Sequence, residues 1–142
     1  RSWFSYAING TPVGETGMWA TIAGHFDVPL IYLAGDQAAC EEAEALIPRI
    51  TTTAVKQGVG RNRATGMHPS KAHELIRRDA AAALSQAKSK WPKPLKWRKP
   101  LTCQLTFYRS DMADNLAGSH DVERVDARTL RWKTKDQLNL RF

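Results

Sequence analysis

Glu15 stands in the segment NGTPVGETG, flanked by Gly14 and Gly17, where a turn-forming stretch gives way to one with helical periodicity. A carboxylate there is favoured by the helix dipole, and the flanking glycines let a backbone or ligand come close. The dipole is the ordinary explanation, so Glu15 alone does not decide. The four histidines, His25, His68, His73 and His120, include no i, i+4 pair of the kind that binds zinc on a helix. His25 follows Glu15 by ten residues along one helical pattern, about 15 Å of axial rise, too far for one ion. Asp111 and Asp114 lie three apart on a short predicted helix, a spacing better explained by solvation than by metal. Cys40 and Cys103 match no metal-ligand spacing and are expected to be buried thiols, not a disulfide. The stretch GVGRNRATG, with Gly58, Gly60 and Gly66 around Arg61 and Arg63, lacks the ending of a phosphate-binding loop and is not a dinucleotide fingerprint. It reads as an irregular connection, although arginines beside a glycine-rich turn also suit a substrate carboxylate or another subunit.

The elements that must position Glu15 follow from the neighbouring residues. Asn9-Gly10 predicts a type I′ turn joining a strand over Trp3 to Ile8 to a return strand over Thr11 to Val13. A helix starts at Glu15, with Met18, Trp19, Ile22, Ala23 and Phe26 on its apolar face. Val28 to Ala34 is a continuous apolar run, predicting a strand buried on both faces. Asp36 is a good cap for a helix over Gln37 to Leu46, with Ala39, Ala43, Leu46 and Ile47 inward and Pro48 ending it. Ile50 to Lys56 is β-branched and reads as a strand. Beyond Pro69 the longest helix covers Ser70 to Ser89, with Ala72, Leu75, Ile76, Ala80, Ala83 and Leu84 inward. Pro92, Pro94 and Pro100 mark a connector over about 89–100. Leu101 to Tyr108 alternates apolar and polar residues as a half-buried strand does. A short helix over Asp111 to Ala117 capped by Ser110, a turn near Asp126, a strand through Thr129 to Trp132 and a last helix capped by Asp136 complete the pattern. The fold class is α/β, a mixed sheet with helices packed on it in a layered sandwich, its strands drawn from two regions of the chain.

NGTPVGETG, continued by AGHFDVPLIYLAGD and EEAEALIPRITTTAVKQG, resembles the zinc-dependent D-aminopeptidase family, also called the dipeptide-transport-protein family of metallopeptidases. HPSKAHELIRRDAAAAL, LTCQLTFYRSDMADN and DVERVDARTLRWKTKD resemble further blocks, so the likeness covers nearly the whole chain. The resemblance implies a hydrolase of short peptides, including those with D-residues at the N-terminus, that uses two zinc ions. Most of that family's ligands, and its catalytic histidine, belong to an N-terminal half with an Asp-x-Glu-Gly motif that this sequence does not contain. By match to the family's Gly-Glu-x-Gly motif, Glu15 is the one metal ligand expected here. The resemblance therefore implies a C-terminal portion, inactive alone, whose partners are the missing half, a short peptide substrate and further copies in a closed homo-oligomer. Trp3, Phe4 and Trp19 would then lie on surface meant for other parts.

Length and composition agree with a single core, possibly with an arm: 142 residues, 42% apolar and 25% charged. No apolar run nears the roughly twenty residues of a membrane span, and no signal-peptide h-region follows Arg1; two lone cysteines read as buried thiols fit a reducing cytoplasm best. The net charge of +7 is concentrated in Lys88 to Lys99 and in Arg124 to Lys135. Lysines with Trp91 and Trp97 have the composition of a single-strand nucleic-acid surface. A stiff connector whose tryptophans pack back on the domain is the preferred reading, because no nucleic-acid motif accompanies the charge. A non-catalytic oligomerisation module and a basic nucleic-acid-binding domain remain the two rival functions.

Overall fold

The computed structural model describes residues 3–141. The single core inferred from length resolves into two compact units, the first formed by residues up to Ile22 and from Lys96 onward, the second by Ala23–Leu95.

In the first unit, β1 (Trp3–Ile8) turns through Asn9 and Gly10 into β2 (Thr11–Pro12). Both turn residues have positive φ, 51° and 81°, as a type I′ turn requires. After the chain leaves and returns it adds β6 (Leu101–Phe107), α4 (Ser110–Ala117), β7 (Val122–Arg124) and β8 (Thr129–Thr134). The strands form one sheet in the order β2-β1-β6-β8-β7, with every pairing antiparallel. Its strands therefore come from both ends of the sequence. Leu101, Cys103, Leu105 and Phe107 face the core, as the alternation predicts, opposite Tyr6, Ile8, Leu130 and Trp132 on the neighbouring strands. Ser110 is the first residue of α4 and not its cap; Arg109 takes that position. The helix expected after Asp136 is absent from 136–141, and Phe142 lies outside the described residues. The tail instead packs as irregular chain: Leu140 and Gln137 are buried, Tyr6 donates its hydroxyl hydrogen bond to the Leu140 carbonyl, and Trp132 Nε1 donates to Asn139 at 3.2 Å. Side chains of the sheet satisfy backbone groups that a helix would have satisfied internally.

α1 (Glu15–His25) carries the chain from the first unit into the second. There β3 (Tyr32–Asp36) leads directly into α2 (Gln37–Leu46), followed by β4 (Thr51–Gly60), β5 (Arg63–Gly66) and α3 (Pro69–Ser85). β3 pairs parallel with β4, and β4 pairs antiparallel with β5. Asp36 caps α2 as predicted, its Oδ1 accepting the Ala39 N–H at 2.9 Å. Three expectations fail in this unit. The apolar run Val28–Ile31 precedes the strand, and β3 lies at the sheet edge, half-buried instead of covered on both faces. GVGRNRATG is no irregular loop but the tip of a β4–β5 hairpin. Leu84, assigned inward on α3, is exposed, because Ala83 takes the buried position of that last turn.

Cys40 and Cys103 are both buried free thiols, and burial raises the pKa of each. No helix among the described residues is long and apolar enough to cross a membrane.

Candidate metal-ligand site

The seat of Glu15 is built from the hairpin outward. Val13 N–H bonds back to the Tyr6 carbonyl at 2.9 Å, and the Gly14 carbonyl accepts the Met18 N–H at 3.1 Å, opening α1. Glu15 thus occupies the first turn and is exposed, a rigid position from which a carboxylate can reach outward. Asn9 fixes the turn before it. Its Nδ2 donates to the Arg98 carbonyl and its Oδ1 accepts the Thr102 N–H, each at 2.8 Å, tying the turn to the connector and to β6.

The face that α1 buries differs from the predicted stripe. Met18 is inward, but Trp19 and Phe26 are each 63% exposed. The buried positions are Gly17, Met18, Ala20, Thr21 and Gly24, a face of mostly small residues. Small residues allow other backbone to approach closely, and two contacts exploit this. In the first unit, the buried Thr21 hydroxyl donates to the Gly17 carbonyl at 2.7 Å and accepts from Trp97 Nε1 at 2.7 Å. The Gln137 side chain adds a second bridge, donating to the Thr21 carbonyl at 2.9 Å and accepting the Trp97 N–H at 3.2 Å. In the second unit, the Leu95 carbonyl passes so close to Gly24 that a Cβ there would sit 1.9 Å from its oxygen. The exposed Trp19, with Phe4 at 61% exposure, fits the surface role that the family resemblance implies for these residues.

Trp97 is therefore a packing residue of the connector. Residues 91–100 carry no regular element; Pro92 is buried, Trp91 is half-buried, and Lys88 Nζ lies 6.0 Å from the Trp91 ring centre. The sequence marks Asn9 as a turn residue but not its bonds to Arg98 and Thr102, and it does not mark Thr21, Trp97 or Gln137 as supports of α1. The spacing of Gly17, Thr21 and Gly24 was the available signal, a small-residue face at helical intervals.

The other sequence candidates separate from Glu15 or are engaged elsewhere. Asp111 pairs with Arg109 at 2.7 Å, and Asp114 pairs with Arg124. The Arg109 guanidinium holds the Asp111 carboxyl below the usual range, as expected of an ion pair on an exposed helix. His68 precedes α3, where its Nδ1 lies 2.7 Å from Ser70 Oγ, and His25 packs edge-on to Phe26. His73 and His120 are exposed. Among the described residues no three His, Cys, Asp or Glu side chains gather to hold a metal. Glu15 supplies one hard oxygen donor, whereas a hydrolytic zinc site takes three protein ligands. Glu15 would fit one position of such a site, and the described residues do not complete it. A cavity of ≈ 660 Å³ in the first unit, lined by Trp3, Leu105, Phe107, Met112, Leu116 and Arg141 among others, does not include Glu15.

The sequence profile of the D-aminopeptidase family matches residues 1–141. The D-aminopeptidase of Bacillus subtilis (strain 168) is 35% identical over 133 residues, which is 94% of this chain and 48% of that protein. A solved structure, the zinc-dependent D-aminopeptidase DppA from Bacillus subtilis, described as a self-compartmentalizing protease, matches with a TM-score of 0.87 at 33% identity. That match covers 98% of this chain and 50% of the other. The chain spans about half the length of these relatives.

Proposed function

The chain belongs to the D-aminopeptidase family, and from that premise we propose that it is the C-terminal part of a zinc-dependent aminopeptidase acting on short peptides, including peptides with D-residues at the N-terminus. The observation that carries this reading is the seat of Glu15: a carboxylate in a Gly-Glu-x-Gly motif, held at a helix start by a hairpin and the Thr21–Trp97 bridge. We assign Glu15 as a ligand in a two-zinc site. The remaining ligands, and the catalytic histidine, are supplied by an N-terminal half. Bound zinc would supply Lewis acidity toward the scissile carbonyl. Glu15 contributes negative charge that offsets the cation and a geometry fixed by the helix. The 142-residue chain alone has one such ligand and is inactive. The complete protein is a homo-oligomer, a reading supported by the self-compartmentalizing relative.

The test is to assay the chain, alone and joined to its N-terminal half, on D-alanyl and L-aminoacyl peptides with added zinc. Turnover should require both the second half and zinc. Turnover by the 142-residue chain comparable to that of the joined protein would show that the active site lies elsewhere. Nucleic-acid binding is the weaker alternative, because Trp97 spends its indole N–H and its packing on the protein itself.

A further inference from the structure

The second unit is electrically divided along its sequence. Residues 29–48 carry Asp36, Glu41, Glu42 and Glu44 and no lysine or arginine, whereas residues 54–73 carry Lys56, Arg61, Arg63 and Lys71 and no acid. The fold separates these groups into two structures. The acids mark α2 and its cap, with Glu41 and Glu44 exposed. Lys56, Arg61 and Arg63 mark the β4–β5 hairpin, whereas Lys71 lies on α3 and pairs with Glu74 at 3.0 Å; every residue from Lys56 to Lys71 is exposed.

That hairpin is an arm. β4 runs beside β3 as far as the Asp36↔Lys56 pair, and from Lys56 onward its strand partner is β5. Four further residues to Gly60 carry it about 13 Å at roughly 3.3 Å per residue. The tip holds Arg61 and Arg63, and the flanks expose Val59 at 54% and Met67 at 45%. An ordered strand pair that exposes apolar side chains beside cations has the composition of an interface, not of a solvated loop. An acceptor of opposite polarity lies at the base of the same arm. Asp36, Gln37, Ala38 and Glu41 of the α2 start, with Gln57 and Gly58 of β4, line a cleft of ≈ 270 Å³.

We propose that the β4–β5 arm of one copy docks on the acidic face of α2 in a second copy, with Arg61 and Arg63 directed toward Glu41, which lines that cleft, and toward Glu44 on the next turn, which also accepts the Thr52 hydroxyl. The inference rests on the homo-oligomeric reading above and names the surfaces that carry it. Arm and acceptor are different surfaces of one chain, so the contact is head-to-tail and repeats from copy to copy, closing into a ring when the rotation permits. The occupant is a second copy because both complementary surfaces are present on the same chain. The cations set register and encounter, and Val59 and Met67 supply apolar burial.

Sedimentation velocity on the 142-residue chain tests this without zinc or substrate, so its outcome is independent of the aminopeptidase assignment. The wild-type chain should self-associate, more weakly at high salt. Arg61→Glu with Arg63→Glu, or Glu41→Lys with Glu44→Lys, should each weaken association at least about tenfold. An equimolar mixture of the two reversed chains, or one chain carrying all four changes, should restore it. Val59→Thr, which keeps a β-branched residue in the strand, should weaken association with the hairpin intact. A monomeric wild-type chain overturns the proposal. So does undiminished association of both reversed chains, particularly if Trp19→Ser abolishes it, which would move the interface to the Phe4 and Trp19 surface. Failure of the mixture to reassociate also overturns it. Loss of oligonucleotide binding on arm reversal, with the chain monomeric throughout, would make the occupant a nucleic acid instead.

Discussion

Trp97 donates its indole hydrogen bond to the Thr21 hydroxyl at 2.7 Å, so the connector holds the helix that presents Glu15. Thr21 is fully buried and donates its own O–H to the Gly17 carbonyl, so both polar functions of that hydroxyl are used inside the protein. Thr21→Val keeps the shape and leaves the indole N–H without this acceptor, at a cost of about 1–3 kcal/mol. Urea unfolding should show that loss. In a cycle with Trp97→Phe, the double variant should lose less than the sum of the two singles. Additive losses would mean that the bond contributes nothing.

The same geometry bears on nucleic acid. Because Trp97 is committed to α1, oligonucleotide binding at physiological salt should be weak and should not change on Trp97→Ala. A titration showing submicromolar binding that disappears in that variant would contradict the packing role.

Gly24 is required by the approach of Leu95. A methyl at that position meets the Leu95 carbonyl oxygen at 1.9 Å, and the obstructing atom belongs to the backbone, so the connector must move. Gly24→Ala should therefore destabilise by about 1–3 kcal/mol, overriding the gain in helix propensity that alanine brings. A thermal melt with an unchanged or raised midpoint would show that the contact is loose.

These two contacts mark where the sequence stopped being legible. Several local signals hold: Asn9-Gly10 makes its turn, Asp36 caps α2, and the alternation from Leu101 to Phe107 places its apolar residues inward, whereas Ser110 yields its cap position to Arg109. Each depends on neighbours a few residues away. The apolar face of α1 did not follow, because Trp19 and Phe26 have the most apolar area but Gly17, Thr21 and Gly24 have the shape that a close-packed neighbour needs. The partners that brace Glu15 come from about eighty to more than one hundred residues away, and periodicity carries no information on such contacts. The tail after Asp136 was misread for a related reason. Asp136 caps no helix: its Oδ1 accepts the Leu138 N–H at 2.9 Å in a local turn, and the carbonyls of Leu140 and Asn139 go to Tyr6 and Trp132.

Asp126 makes the turn between β7 and β8 sensitive to acid. Its Oδ1 accepts the N–H of Arg128 at 2.7 Å and of Thr129 at 2.9 Å, shaping the turn between β7 and β8. The Arg128 N–H, followed by the Thr129 hydroxyl and N–H, holds the carboxyl below its ordinary value, with partial desolvation opposing. A carboxyl lowered in the folded state stabilises fully above its unfolded pKa, about 4, and that stabilisation is lost as pH falls through the lowered folded value. Asp126→Asn should therefore be less stable than wild type at pH 7, with the difference shrinking below about pH 4. Chemical denaturation at pH 7 and at pH 2 to 3 measures both; a difference that grows on acidification would reverse the sign.

The assignment of Glu15 is tested most directly by metal content. The chain joined to its N-terminal half should bind two zinc ions, and Glu15→Gln, which preserves size and helix start while removing the charge, should lower bound zinc and reduce peptidase activity by about two orders of magnitude or more. Circular dichroism and melting of the variant should match wild type, separating loss of a ligand from loss of fold. Full zinc stoichiometry and full activity in Glu15→Gln would contradict the account.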